Sequence, residues 1–256
     1  MSNLLYKYLD VNGAIMMLHY SNLMYANATT FNDPFDCHPS LIDFSKVPVE
    51  ARRGWPAEVI EDLESNRHIN YRQKLWICCL SKVHNSLLMW SYYNKHEGVC
   101  IGLNMDKVAK YLHVGYGLIV TPYGRDVQYR EIIEKPDYFR YKQDLFSYQI
   151  FTKAKAWEHE QEVRLFILEP SPQHMQLLPF QQGKKEFDIK EIRTFVKIGA
   201  ECFESLYLGV KIDKEQRRKI ISQAKHLNPE IKVYQMEEDP NAFKLLDKPI
   251  TEIDQQ

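Results

Sequence analysis

Glycine is scarce in this chain. Only ten occur in 256 residues, and they form neither G-x-G-x-x-G nor G-x-x-x-x-G-K-[ST]. The backbone loops that cradle phosphates in doubly wound nucleotide-binding sheets therefore have little raw material. Long apolar runs are missing too: none reaches the roughly 18 residues that cross a bilayer. The opening MSNLLYKYLD places an aspartate where a secretory leader would keep its apolar centre, so the expectation is a cytoplasmic protein with no membrane partner. Charge of one sign is absent. There are 33 Lys and Arg against 34 Asp and Glu, a formal net charge of −1, so no bulk field draws the chain to nucleic acid. The most basic run, KIDKEQRRK at 211–219, also carries Asp213 and Glu215 and reads as a solvated helix face. No C-x-x-C occurs. Cys37, Cys78, Cys79, Cys100 and Cys202 are odd in number and scattered, which fits buried thiols in a reducing compartment, not a disulfide framework or a zinc site. A serine elbow of the G-x-S-x-G kind is also lacking.

What is present is an ordinary globular composition, 45% apolar and 26% charged. There is no internal repeat, and the length suits one domain spanning 1–256. LLYKY at 4–8, LMYAN at 23–27, LWICCL at 75–80, VCIGL at 99–103, LYLGV at 206–210 and IKVYQ at 231–235 read as strands. GLIVTPYG and DVQYRE suggest two more. Helices are expected over 13–20 behind Asn12, over 85–96 behind Asn85 or Ser86 with Gly98 ending it, over 137–152, and after Asp213. Strands and helices mix irregularly, which gives an α+β fold with short strands and peripheral helices.

The stretch KAKAWEHEQEVRLFIL at 153–168 is the most informative. As a strand over 160–168, it sets Glu160, Glu162, Arg164 and Phe166 on one face and Val163, Leu165 and Ile167 on the other. A surface charge ladder would explain the three charges. So would a carboxylate at the edge of a cleft, able to grip a ribose hydroxyl and stabilise a developing oxocarbenium charge. Spacing alone does not choose between them.

In MWSYYNKHEGVCIG at 89–102, Trp90 and Tyr93 fall on one helix face and His96 drifts off it. Such a row packs cores or forms a wall for a flat ring, and the end of a helix is reason enough for His96. FNDPFDCHP offers Asp33, Asp36, Cys37 and His38. Asp-Pro and Asn-Asp are turn chemistry there, so no metal site is expected.

Four motifs now stand in order: LYKY, FNDPFD, W-x-x-Y-x-x-H-x-G-V at 90–99, and K-x-x-x-W-x-x-E-x-E-x-R at 153–164. In this the chain resembles a bacterial family known only as a domain of unknown function. The layout is more distantly similar to ADP-ribosyltransferases. That second resemblance implies NAD held as a substrate in a cleft between two small sheets. It implies Lys7 or Tyr8 on the first strand, flanked by Tyr6, at the NAD ribose, and Tyr92 or Tyr93 against the nicotinamide, with Trp90 and His96 nearby. It further implies Glu160 or Glu162 as the catalytic carboxylate oriented by Arg164, with Lys153 and Lys155 at the pyrophosphate. The partner would be a small nucleotide plus an acceptor the sequence does not name. The Ser-Thr-Ser element of one branch is missing; Leu80-Ser81 lies near its place. The alternative is a non-catalytic ligand-binding or sensing module in which the same charges fix strand register.

Overall fold

LWICCLS forms the strand on which the sheet turns. The computed structural model describes residues 3–65, 72–112, 119–120, 124–140, 145–168 and 192–250. Thirteen strands occur among them: β1 Leu4–Leu9, β2 Asn22–Asn27, β3 Leu75–Ser81, β4 Val99–Asn104, β5 Ile119–Val120, β6 Arg125–Asp126, β7 Gln128–Arg130, β8 Thr152–Ala154, β9 Glu162–Leu168, β10 Arg193–Lys197, β11 Phe203–Leu208, β12 Lys232–Glu238 and β13 Leu245–Pro249. The helices are α1 Val11–Tyr20, α2 Val49–Gly54, α3 Ala57–Glu64, α4 Leu87–Asn94, α5 Met105–Val108, α6 Leu145–Phe151 and α7 Lys214–Leu227. Eleven strands share one sheet in the order β10-β2-β3-β1-β4-β11-β12-β13, with β9 on β3 and both β5 and β6 on β9; β7 and β8 pair separately. The fold is α+β with one mixed sheet.

The sheet forks at β3. Strand β9 runs along one edge of β3 from Leu75↔Leu168 to Ser81↔Glu162. The other edge is divided: β2 pairs at its start through Ala26↔Ile77, and β1 at its end through Tyr6↔Ser81. Helix α1 spans the fork between β1 and β2. Asp10 caps it, accepting from Gly13 N at 2.6 Å. The expected cap, Asn12, lies inside the helix instead, because Asp10 in extended backbone reaches the first free N–H.

One sheet face is closed by α1 and α7. Leu5, Cys78, Leu80, Ile101, Val163, Leu165 and Leu206 pack there on Ala14, Leu18, Ile220 and Ala224. The opposite face carries Tyr8, Trp90, Cys100, Tyr207 and Met236, and further along Ile77, Ile150 and Phe151. Alternation along β1 thus puts Tyr6 and Tyr8 with the second set and Lys7 on the first.

Helix α4 starts at Ser86, whose hydroxyl accepts from Met89 N, and stops at Asn94, with Lys95 (φ 54°) and His96 (φ 61°) left-handed. Gly98 does not end the helix. Its hydrogen faces the chain instead: a Cβ there would stand 2.3 Å from Leu9 O and 2.6 Å from Asn94 Cβ. Gly98→Ala must push backbone apart, and we expect it to cost about 1–3 kcal/mol, read as a lower urea midpoint at unchanged slope. An unaltered midpoint would mean the turn has slack.

The helix expected over 137–152 is shorter. Asp137 bonds Phe139 N at 2.9 Å, and Tyr138 N reaches Asp43 O at 2.9 Å, so 137–140 form a turn, and among the described residues of that span α6 is the helix. Residues 141–144 lie outside the described residues, as do 117–118 and 121–123 of the strand expected at 117–124.

Candidate functional site

Two distant stretches, 31–36 and 153–164, bring five charged side chains to one place on the Tyr8 face of the sheet. Asp36 comes from the FNDPFD turn, Lys153 from β8, Glu160 from a 3-10 turn over Lys155–Glu160, and Glu162 and Arg164 from β9. None is more than 8% exposed, and Arg164 is fully buried. The strand begins two residues later than the sequence suggests. Gln161 is left-handed at φ 43°, so Glu160 belongs to the 3-10 turn and reaches the cluster from there rather than along a strand face.

Arg164 is saturated. Its Nε donates to Glu162 Oε1 at 2.8 Å and its Nη2 to Glu162 Oε2 at 3.0 Å. Nη2 also meets Asp36 Oδ2 at 2.6 Å, while Nη1 meets Asp36 Oδ1 at 2.7 Å and Ile150 O at 2.6 Å. Five donors thus meet five oxygens, the geometry a guanidinium supplies and an ammonium cannot. Lys153 Nζ closes the other side, at 2.5 Å from Glu160 Oε2, 3.1 Å from Glu162 Oε2 and 3.8 Å from Asp36 Oδ2. It sits 5.0 Å from the centre of the Trp157 ring, which accounts for the K-x-x-x-W spacing. Three carboxylates thus face two cations. Of the three, Glu160 has Lys153 and no arginine. Its Oε1 accepts from the Tyr93 hydroxyl at 2.6 Å.

Burial opposes the charges of Glu162, Lys153 and Arg164, and their partners outweigh it. Burial raises the Glu162 carboxyl, but Arg164 and Lys153 hold it well below its ordinary 4.5. Burial lowers Lys153, but Glu162, Glu160 and Asp36 hold it above its ordinary 10.5. Tyr129, whose oxygen accepts from Glu162 N at 2.8 Å, is pushed up to about 12, first by burial and then by the nearby carboxylates. Burial and the charge of Glu160 likewise raise Tyr93.

A pH prediction follows from the signs. The Glu162 contribution is complete above 4.5 and falls away as pH drops toward the depressed folded value. The Lys153 contribution is complete below 10.5 and falls away as pH climbs toward the raised one. Urea midpoints should therefore change little on account of this pair between those limits, and Glu162→Gln should flatten the acid limb. Identical acid limbs in the two proteins would contradict the arrangement.

The remaining predicted residues divide. Tyr6 stands opposite Ser81, and Ser81 opposite Glu162, so first strand, β3 and β9 present them in one row. Gly102 opposite Tyr6 leaves room for its ring: a Cβ there would lie 3.2 Å from Tyr6 Cε1. Ser81 Oγ donates to Glu160 O at 2.7 Å, tying the end of β3 to the 3-10 turn. Tyr8 donates to Val83 O at 2.9 Å and meets Trp90 edge-on. Trp90 is fully buried, with Nε1 bonded to His84 O at 2.7 Å. Lys7 Nζ donates to Cys79 O at 2.8 Å. Lys155 pairs with Glu131 at the surface. His96 is drawn down by burial and by Lys211, and none of its bonds reaches the cluster. Tyr92 is exposed beside His159. Tyr92 and Tyr93 line an open cleft of about 330 Å³ with Asp10, Asn12 and Gly98, so Tyr93 joins that cleft to Glu160.

Asp36 is the residue sequence reasoning missed. Asp33 does make the expected turn, bonding Phe35 N at 2.9 Å, but Asp36 faces inward to Arg164. No charge imbalance in the strand motif announced it, since Lys153 and Arg164 are already matched there by Glu160 and Glu162. His38 bonds Ser40. Among the described residues no group of three or more His, Cys, Asp or Glu is placed to hold a metal.

A family model described as Protein of unknown function (DUF2971) matches residues 89–165. Over that stretch, which runs from within α4 to Leu165, the chain is similar to an uncharacterised family. No curated protein and no solved structure matches it.

Proposed function

We propose that the protein consumes NAD, as an ADP-ribosyltransferase or an NAD glycohydrolase. One observation carries the reading: Tyr6, Ser81 and Glu162 lie side by side on three adjacent strands, and Glu160 reaches the same place from the turn before β9. The layout similar to ADP-ribosyltransferases asks for a first-strand residue at the ribose, a neighbouring strand near serine, and an acid on a late strand. The forked sheet supports the same layout.

In this reading Glu160 is the working carboxylate. When the bond between nicotinamide and ribose loosens, positive charge grows on the sugar. A fixed negative charge in surroundings of low dielectric is then worth far more than in water. Glu160 is the carboxylate of the cluster without an arginine, and Tyr93 bonds its Oε1 on the side of the cleft. Glu162, Arg164, Asp36 and Lys153 hold it still. Incubation with NAD tests the reading: free nicotinamide should accumulate, seen by mass spectrometry, with ADP-ribose either released or added to an acceptor. Absence of both products would remove it.

A second reading, a non-catalytic ligand-binding or sensing module, is favoured by the full occupation of the Arg164 donors. Such closure is what a network fixing strand register requires.

A further inference from the structure

Beyond the buried cluster, on the edge of β9 away from β3, lies a cleft of about 430 Å³ bordered by Arg125, Asp126, Gln128, Arg130, Ser147, Tyr148 and Phe151. Its charge is unbalanced. Arg125 of β6 sits directly opposite Arg164 of β9. Like charges so placed repel, yet only Arg164 is neutralised. Among the described residues no carboxylate pairs with Arg125, since its neighbour Asp126 pairs with Lys82. Arg125 is nonetheless held in place: Nη1 donates to Ser147 Oγ at 2.9 Å, and the guanidinium carbon lies 4.7 Å from the centre of the Phe151 ring. Arg130 has only a 4.0 Å contact to Glu134, with both side chains half exposed.

We infer that this cleft binds the phosphate group of a small, nucleotide-sized molecule. A carboxylate is planar and one guanidinium satisfies it. This cleft offers two guanidiniums, the Gln128 amide and the Ser147 and Tyr148 hydroxyls from different elements, a spread that suits a tetrahedral anion. The volume exceeds that of a bare phosphate and leaves room for an attached ring beside Phe151 and Tyr148. The low net charge of the chain argues against a polyanion. The inference does not rest on the NAD reading, and its test uses no NAD.

Calorimetric titration with AMP, pyrophosphate and adenosine at fixed ionic strength decides it. Expected are measurable binding of AMP and pyrophosphate to the wild-type protein, an affinity about tenfold lower in Arg125→Ala, a partial loss in Arg125→Lys because the fork is missing, and a smaller loss in Arg130→Ala. Arg125 is exposed, and an unchanged circular dichroism spectrum would confirm that the variants fold. No binding to the wild type, equal affinity in folded Arg125→Ala, or adenosine binding as tightly as AMP would each overturn the inference. A single-stranded oligonucleotide binding far more tightly than AMP, with steep salt dependence, would also overturn it, in favour of a nucleic-acid contact.

Discussion

Arg164→Met is expected to cost about 3–5 kcal/mol of stability, because it strands Asp36 and Glu162 as buried carboxylates facing only Lys153. For a chain of this size that lowers the melting temperature on the order of 10 °C. Arg164→Lys should recover little. An ammonium has three donors for the five oxygens that Arg164 meets, and the two carboxylates lose their paired donors. The cost should be non-additive. With Glu162→Gln already in place, one stranded charge is gone, and adding Arg164→Met should cost less than it does alone. Thermal unfolding of the four proteins of this cycle measures the coupling. Simple additivity would mean that the short distances around Arg164 carry no shared energy.

Glu160→Gln should act on turnover instead. If Glu160 stabilises the charge on the ribose, the amide should cut NAD consumption by about two to four orders of magnitude. Stability should fall less than in Arg164→Met, since Lys153 keeps Glu162 and Asp36. Tyr93→Phe removes one hydrogen bond to a charged group and should slow the reaction by about tenfold. Glu162→Gln is expected to lose both activity and stability, because Glu162 positions Arg164 and Lys153 together. Nicotinamide release and melting temperature measured on the same samples separate the cases. If all three variants turn NAD over at the wild-type rate, the enzymatic reading fails. If turnover is absent throughout and only melting temperatures move, the cluster is a register lock and the non-catalytic module is the better description.

Much of the local structure was legible in the residues. Runs such as LWICCL and VCIGL can only be buried strands, because their apolar side chains point to both faces of a sheet that is covered on both. Ser86 and Asp213 start helices for a reason local to the chain: an oxygen placed to take the first free N–H. Strands β10 and β13 escaped notice for an equally physical reason. RTFVK and LLDKP lie at the ends of the sheet order and are mostly exposed, so neither shows the apolar signal of a covered strand. The late start of β9 was illegible because the left-handed turn at Gln161 leaves no mark in residue type.

By itself the sequence determined the inventory: a mixed α and β chain of balanced charge, its dense polar motifs ordered along it, and an arginine two places after the second of two acids. Only the tertiary structure decided what those charges face. Asp36 and Arg164 are 128 residues apart, and no periodicity links them. They meet because β3 takes β9 along its whole edge while the FNDPFD turn folds over the same face. Burial then makes their pairing obligatory, for a charge removed from water must find its opposite within the fold.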